Sequence, residues 1–189
     1  MAETIFTVLL FLLLVMSVYH DYRTQKIPNK ITVPTIAAGV ILSTVYFGIS
    51  GLWSSLLGFI VGFLILLLPF ILGGMGAGDV KLMAAIGAVM GARFVFMTFI
   101  YTAIVGGIIA IGYGIYKRGF GTSFKLFGGF LISPLMKFLY GLTGYHRFIE
   151  WYGTMKKSET KIGKLYIPYA IPIAIGAALV YTNWIPSFF

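Results

Sequence analysis

The sequence predicts an all-α membrane protein with about six transmembrane helices, on two observations. Of its 189 residues 59% are hydrophobic and 10% charged, with a mean hydropathy of +0.97, whereas an average soluble domain carries about 25% charged residues. Five acids and fourteen bases cannot cover the surface of a soluble protein this size, so that class is excluded. The apolar stretches are also long and continuous rather than alternating. Inside hydrocarbon such stretches form helices, which satisfy their own backbone groups.

The first span runs from Ile5 to Tyr19. Its head carries Glu3 instead of a basic flank, and Tyr19-His20-Asp21 is no small-residue cleavage site, so it reads as a retained helix and not a removable signal. The second, Ile31 to Phe47, and the third, Leu52 to Leu72, are separated by a turn expected over Gly48 to Ser55. The fourth, Val80 to Met90, is short. Its eleven residues cover only about half of a ~30 Å hydrocarbon core, so this helix must extend past Arg93 or begin below the membrane surface. Phe94 to Tyr116 and Leu165 to Trp184 complete the six.

Orientation follows from the bases. With the N-terminus outside, every base except Arg93 falls on the cytoplasmic side. The chain reads as a single membrane domain, residues 1–189, in which residues 117–164 form an interfacial and cytoplasmic basic segment between helices five and six. Phe130 to Leu142, interrupted by Pro134 and Lys137, is expected to lie in the interface as short helices, with an extra re-entrant pair as the alternative. Tyr145 to Lys164 is polar, and its Lys156, Lys157, Lys161 and Lys164 face anionic lipid headgroups at about 1 kcal/mol each. The membrane accounts for the net charge of +9, so nucleic acid is not an expected partner.

The absence of cysteine removes disulfides, thiolate zinc sites and cysteine nucleophiles. His20 lacks a second histidine or cysteine at metal-ligand spacing and reads as an interfacial structural residue, as does His146. No metal site and no cofactor are expected. Gly58 with Gly62, and Gly87 with Gly91, fit small-residue helix packing.

Chemistry rests on a scarcity. The chain has only two aspartates, Asp21 at the end of the first helix and Asp79 at the start of the fourth. An even number of crossings separates them, so both face the cytoplasm. A carboxyl group at or below a membrane surface is costly to desolvate, and its default reading is functional. The plain alternatives are a solvated acid paired with Arg23 and a helix N-cap neutralised by Lys81.

The two surroundings favour function. Asp21-Tyr22-Arg23-Thr24-Gln25-Lys26-Ile27-Pro28-Asn29 and Gly74-Met75-Gly76-Ala77-Gly78-Asp79-Val80-Lys81-Leu82 resemble the two signatures of the prepilin peptidases, the type IV leader peptidases among the GxGD aspartyl proteases. Ile167-Pro168-Tyr169-Ala170-Ile171-Pro172 looks like that family's last helix. Without cysteine or an N-terminal cytosolic insertion, the chain resembles the short form that lacks the methyltransferase domain. The resemblance implies a membrane aspartyl endopeptidase with Asp21 and Asp79 as catalytic residues. Its substrates would be type IV prepilins or related pseudopilins of the pilus and protein-secretion systems, cleaved at the cytoplasmic face of the inner membrane.

The residues support that chemistry on their own terms. Two nearby carboxyls share a proton, so that one takes a proton from water while the other polarises the scissile carbonyl. Gly76 and Gly78 let backbone approach closely, and Gly74 adds slack. Asp21 at a helix C-terminus is expected to be the acid, and Asp79 at a helix N-terminus beside Lys81 the base. Lys81, two residues after Asp79, is not on the same helix face and is expected to contact headgroups or a loop carbonyl. Pro28 and Asn29 form the turn that starts helix two, with Asn29 as its cap. A presenilin-like intramembrane protease and a small cation-coupled transporter with a carboxylate site are the alternative readings.

Overall fold

The computed structural model describes residues 2–71, 75–118 and 168–183. Among them every regular element is a helix: α1 (Ala2–Thr24), α2 (Asn29–Ile71), α3 (Ala77–Arg118) and α4 (Ala170–Asn183). Three are long and apolar enough to cross a membrane, Ala2–Thr24, Asn29–Ile71 and Ala77–Ile109, and Ala170–Thr182 is a shorter apolar helix. The chain divides into two compact units, residues 1–106 with 168–189, and residues 107–167. The first holds both aspartates; of the second, only the continuation of α3 is described. The expected interfacial helices over Phe130 to Leu142, the lysine-rich stretch to Lys164, Leu165 to Ile167, His146 and Gly74 all lie outside the described residues.

Two glycines set the architecture. A straight α2 of 43 residues would be about 65 Å long, twice the hydrocarbon thickness. Gly48 breaks it, with φ 65° and ψ −145°. The chain doubles back there, because a Cβ on Gly51 would collide with the Ser43 carbonyl and the Phe47 side chain. The turn expected over Gly48 to Ser55 is thus a single residue, and helix resumes at once. Gly91, with φ 83° and ψ 171°, breaks α3 in the same way. It is therefore a chain break and not, as its spacing from Gly87 implied, a helix-packing position alone.

The stretch of α3 before Gly91 is the centre of the first unit. Leu82, Met83, Ala85, Ile86 and Ala88 are fully buried, the pattern of a helix surrounded by protein on all sides. It begins at Ala77, earlier than the expected Val80, and does not continue straight past Arg93. Helix backbones touch it directly. Gly58 backs onto Gly87, Gly62 onto the Met83 carbonyl, and Gly39 onto Ala88, where an added Cβ would lie 2.9 Å from the carbonyl oxygen. The Ser55 hydroxyl donates to the Ala88 carbonyl at 2.6 Å. Small residues thus replace side-chain interdigitation with backbone contact, the device that membrane helices use where lipid is as apolar as the core.

α4 is held at both ends against α1. Thr7 Oγ1 and Tyr181 OH share a hydrogen bond of 2.8 Å near one end, and the Ala170 amide meets Asp21 at the other. Along its length Gly176 sits on Thr102 and Pro172 lies beside Gly106. Large apolar side chains such as Phe11, Val45, Ile49 and Leu68 point outward, which suits a surface facing lipid tails.

Candidate active site

Asp21 lies inside the last turn of α1, which runs to Thr24, rather than beyond the helix end. Two local features extend the helix. The Thr24 hydroxyl donates to the His20 carbonyl at 2.9 Å, and Gln25 closes the helix in the left-handed conformation, φ 56°, its N–H bonded to the Asp21 carbonyl at 2.9 Å. This is the αL cap that usually calls for glycine. His20 Nδ1 lies 3.0 Å from the Met16 carbonyl and its ring packs edge-on to Tyr19. Arg23 reaches over the Tyr19 ring, 5.2 Å from its centroid.

Ile27-Pro28-Asn29 connects this end to the second motif. Ile27 is buried and packs on Gly78, so closely that a Cβ there would meet the Ile27 Cβ and backbone nitrogen at 3.2 Å. The Pro28 carbonyl accepts from Ile31 N–H at 3.1 Å and opens α2. Asn29 does not cap the helix as expected. Its Oδ1 accepts from Lys81 Nζ at 2.8 Å, so Lys81 ties the two motifs together.

Asp79 is the third residue of α3, with Gly76 as the residue before the helix. The Asp79 N–H donates to the Gly76 carbonyl at 3.2 Å, and Asp79 Oδ2 accepts from the Gly76 N–H at 3.1 Å. This is the reach-back half of a capping box. It fixes the carboxylate by its own loop, with no part for Lys81.

Both aspartates are buried in protein, Asp21 to 3% exposure and Asp79 to 6%, and their carboxyls are close enough to interact electrostatically. The first turn of α4 completes the cluster. The Ala170 N–H donates to Asp21 Oδ2 at 3.1 Å across 149 positions of sequence. Burial pushes the phenol of neighbouring Tyr169 above its ordinary pKa, and the negative charge of Asp79 adds to the effect. Each carboxylate accepts an N–H at a helix start, so Asp21, although it lies in the last turn of α1, also meets the first turn of α4. The structure brings together Asp21, Asp79, Gly76 and Gly78, with the Lys81–Asn29 bond joining the two motifs and Pro28 opening α2. Tyr169 and the Ala170 amide were not singled out by sequence reasoning, although Ile167-Pro168-Tyr169-Ala170-Ile171-Pro172 marked the stretch.

Fold and site together define a helical membrane protein in which two buried aspartates from separate helices influence one another. The family model for the Type IV leader peptidase family matches residues 8–111, more than half of the chain and both aspartates. The chain belongs to that family. It is 31% identical over 99 residues to the prepilin leader peptidase/N-methyltransferase of Bacillus subtilis (strain 168), covering 51% of this chain and 39% of that protein. It is 34% identical over 131 residues to the prepilin leader peptidase/N-methyltransferase of Dichelobacter nodosus, covering 65% of this chain and 44% of that protein. The matched stretches thus span less than half of these curated relatives. No solved structure matches the chain.

Proposed function

We propose that the chain is an aspartyl endopeptidase of the inner membrane that removes the basic leader from type IV prepilins or related pseudopilins at the cytoplasmic face. The observation that carries this reading is the meeting of the chain's two aspartates, Asp21 and Asp79, both buried and electrostatically coupled, in a member of the leader peptidase family. The breaks at Gly48 and Gly91 support six crossings, with the N-terminus outside as the distribution of bases requires. Both acids then lie at the cytoplasmic end of the bundle, where a substrate helix in the same bilayer presents its leader.

In this reading the two carboxyls act as one unit. Placing like charges close together in a desolvated site keeps one of them protonated. The ionised carboxylate takes a proton from water, and the protonated one hydrogen-bonds the scissile carbonyl as negative charge develops on its oxygen. The Gly76 and Ala170 amides hold the two groups in place during the transfer. A cation transporter would need its acids near the midplane, whereas Asp21 closes α1 and Asp79 opens α3, which favours the peptidase.

The test is cleavage of a full-length prepilin by the purified chain in neutral detergent. Asp21→Asn and Asp79→Asn are each expected to lower kcat by about a thousandfold or more, since members of a catalytic unit are individually indispensable. Near-wild-type turnover in either variant would refute the dyad.

A further inference from the structure

We propose that Ser17, one helical turn before Asp21 on α1, forms with the Asp21 carboxyl a binding site for the water molecule consumed in cleavage. This deepens the peptidase reading and rests on it.

The hydroxyls of the bundle fall into two groups. Thr7, Thr35 and Thr44 each donate to the carbonyl four residues earlier, at 2.8, 2.8 and 2.7 Å, the back-bond by which a helix satisfies a hydroxyl from its own chain. Ser17 forgoes that bond. Its side chain is fully buried, and its hydroxyl has no hydrogen-bond partner among the described residues. A hydroxyl kept dry and unpaired in an apolar interior costs free energy, and a bound water with a second polar partner removes that cost.

The second partner is set by the helix. Phe6, Leu10, Leu13, Ser17 and Asp21 are the buried residues of α1, so Ser17 and Asp21 share one face, and Cβ atoms one turn apart lie about 5–6 Å from each other. No direct bond joins the Ser17 hydroxyl to the carboxyl. A single water, about 2.8 Å from an oxygen on either side, spans such a separation. The carboxyl is meanwhile held from α4 by the Ala170 amide at 3.1 Å, and the rest of the buried face of α1, Leu13, Leu10 and Phe6, is apolar. Ser17 is thus the one polar side chain on that face beside Asp21. In cleavage the oxygen of this water bonds to the scissile carbonyl carbon and one of its protons passes to the ionised carboxylate. As the C–N bond breaks, the departing amine takes a proton from the dyad. Ser17 itself exchanges no proton, so its loss falls on kcat rather than KM.

The experiment uses the full chain in detergent with a prepilin substrate. Ser17→Ala is expected to lower kcat about tenfold, the worth of one hydrogen bond to the reacting water, with KM within about twofold of wild type. Ser43→Ala is the control. It removes a hydroxyl equally buried and unpartnered among the described residues, but about 20 Å along α2 from Asn29, and is expected to leave kcat unchanged. Wild-type kcat in Ser17→Ala, a raised KM with kcat unchanged, or an equal loss of kcat in Ser43→Ala would overturn the assignment. A second readout needs no substrate: a double-mutant cycle in thermal unfolding between Ser17→Ala and Asp21→Ala, in which the helix preference of alanine cancels. The unfolding temperature is expected to fall by about 2 °C or more further when Ser17→Ala is made in the wild type than when it is made in Asp21→Ala. Equal effects in the two backgrounds would show that nothing bridges the two side chains and would overturn the proposal. Should the wild type cleave no prepilin, the peptidase reading fails, and the cycle still decides whether Ser17 and Asp21 are joined.

Discussion

Gly78 rests closely on Ile27, which would have to give way to a methyl group between them: a Cβ at Gly78 would lie 3.2 Å from both the Cβ and the backbone nitrogen of Ile27. This contact joins the segment that follows Asp21 to the residue that precedes Asp79. It gives the second glycine of Gly76-Ala77-Gly78-Asp79 a packing reason independent of any conformational one.

Gly78→Ala is accordingly expected to cost roughly 1–3 kcal/mol, the range for overpacking a close contact, and to reduce prepilin cleavage in proportion. Ile27→Ala should fail to rescue it, because the obstructing atoms are the Cβ and the main chain, which alanine retains. Gly76→Ala should behave differently. It is exposed, and its added Cβ would crowd the Asp79 Oδ2 at 3.3 Å, the far end of a side chain that can yield, with the Gly78 nitrogen at an ordinary contact distance of 3.9 Å. Thermal unfolding in detergent should then change little while kcat falls, since the carboxylate is displaced. Equal unfolding temperatures for the two alanine variants would contradict this division.

Lys81 and Asn29, 2.8 Å apart, form a second brace between the motifs. Each single variant, Lys81→Met or Asn29→Ala, should lower stability and cleavage. The double variant should be no worse than the more harmful single one, because both remove the same bond. A double-mutant cycle should return a coupling of about 0.5–1.5 kcal/mol, and additive losses would mean that the contact carries no energy.

What could be read beforehand follows from the range of each interaction. Asp21 and Asp79 were legible because the chain holds no other aspartate and each sits at a helix boundary, both local properties. The break at Gly48 was legible because it separates two apolar runs of bilayer length. The break in α3 was legible as the gap between the spans ending at Met90 and starting at Phe94, but the residue that makes it was not: Gly91 follows Gly87 at a four-residue spacing that also marks helix packing, and nothing local distinguishes the two uses. The Ala170 amide on Asp21 and the place of Tyr169 in the entry turn of α4 were out of reach for a different reason. They depend on where α4 docks, which the Gly176–Thr102 and Thr7–Tyr181 contacts decide.

Gln25 offers a stabilising change. Its φ of 56° places a side-chain-bearing residue in the left-handed region, which costs about 1–2 kcal/mol relative to glycine, partly offset in a glycine variant by the greater freedom of the unfolded chain. Gln25→Gly should therefore raise stability by roughly 0.5–1 kcal/mol, and Gln25→Asn by less, whereas Gln25→Val should lower it. Because Gln25 is exposed and its cap holds the turn carrying Asp21, cleavage by Gln25→Gly should stay close to wild type. A drop in unfolding temperature for Gln25→Gly would show that the Gln25 side chain makes a compensating contact.

Gly91 separates two reasons for needing glycine. At Gly87 the backbone is helical and an added Cβ would run into the Gly58 carbonyl, so the obstacle is space. At Gly91 the nearest atom to an added Cβ is the Ser54 Oγ at 3.2 Å, and a hydroxyl can rotate aside, so the obstacle is conformation. With φ 83° and ψ 171°, Gly91 lies in a region essentially reserved for glycine and distinct from the left-handed helical well that asparagine tolerates. Gly91→Asn should thus be as harmful as Gly91→Ala, each costing about 1–3 kcal/mol, although asparagine is tolerated at Gln25. The break also frees the buried first part of α3 from the direction of its continuation, so losing it should displace Asp79 and abolish cleavage at temperatures where the protein remains folded. The check is to measure unfolding and prepilin cleavage side by side for both variants; full activity in Gly91→Asn would mean that the break is not what places Asp79.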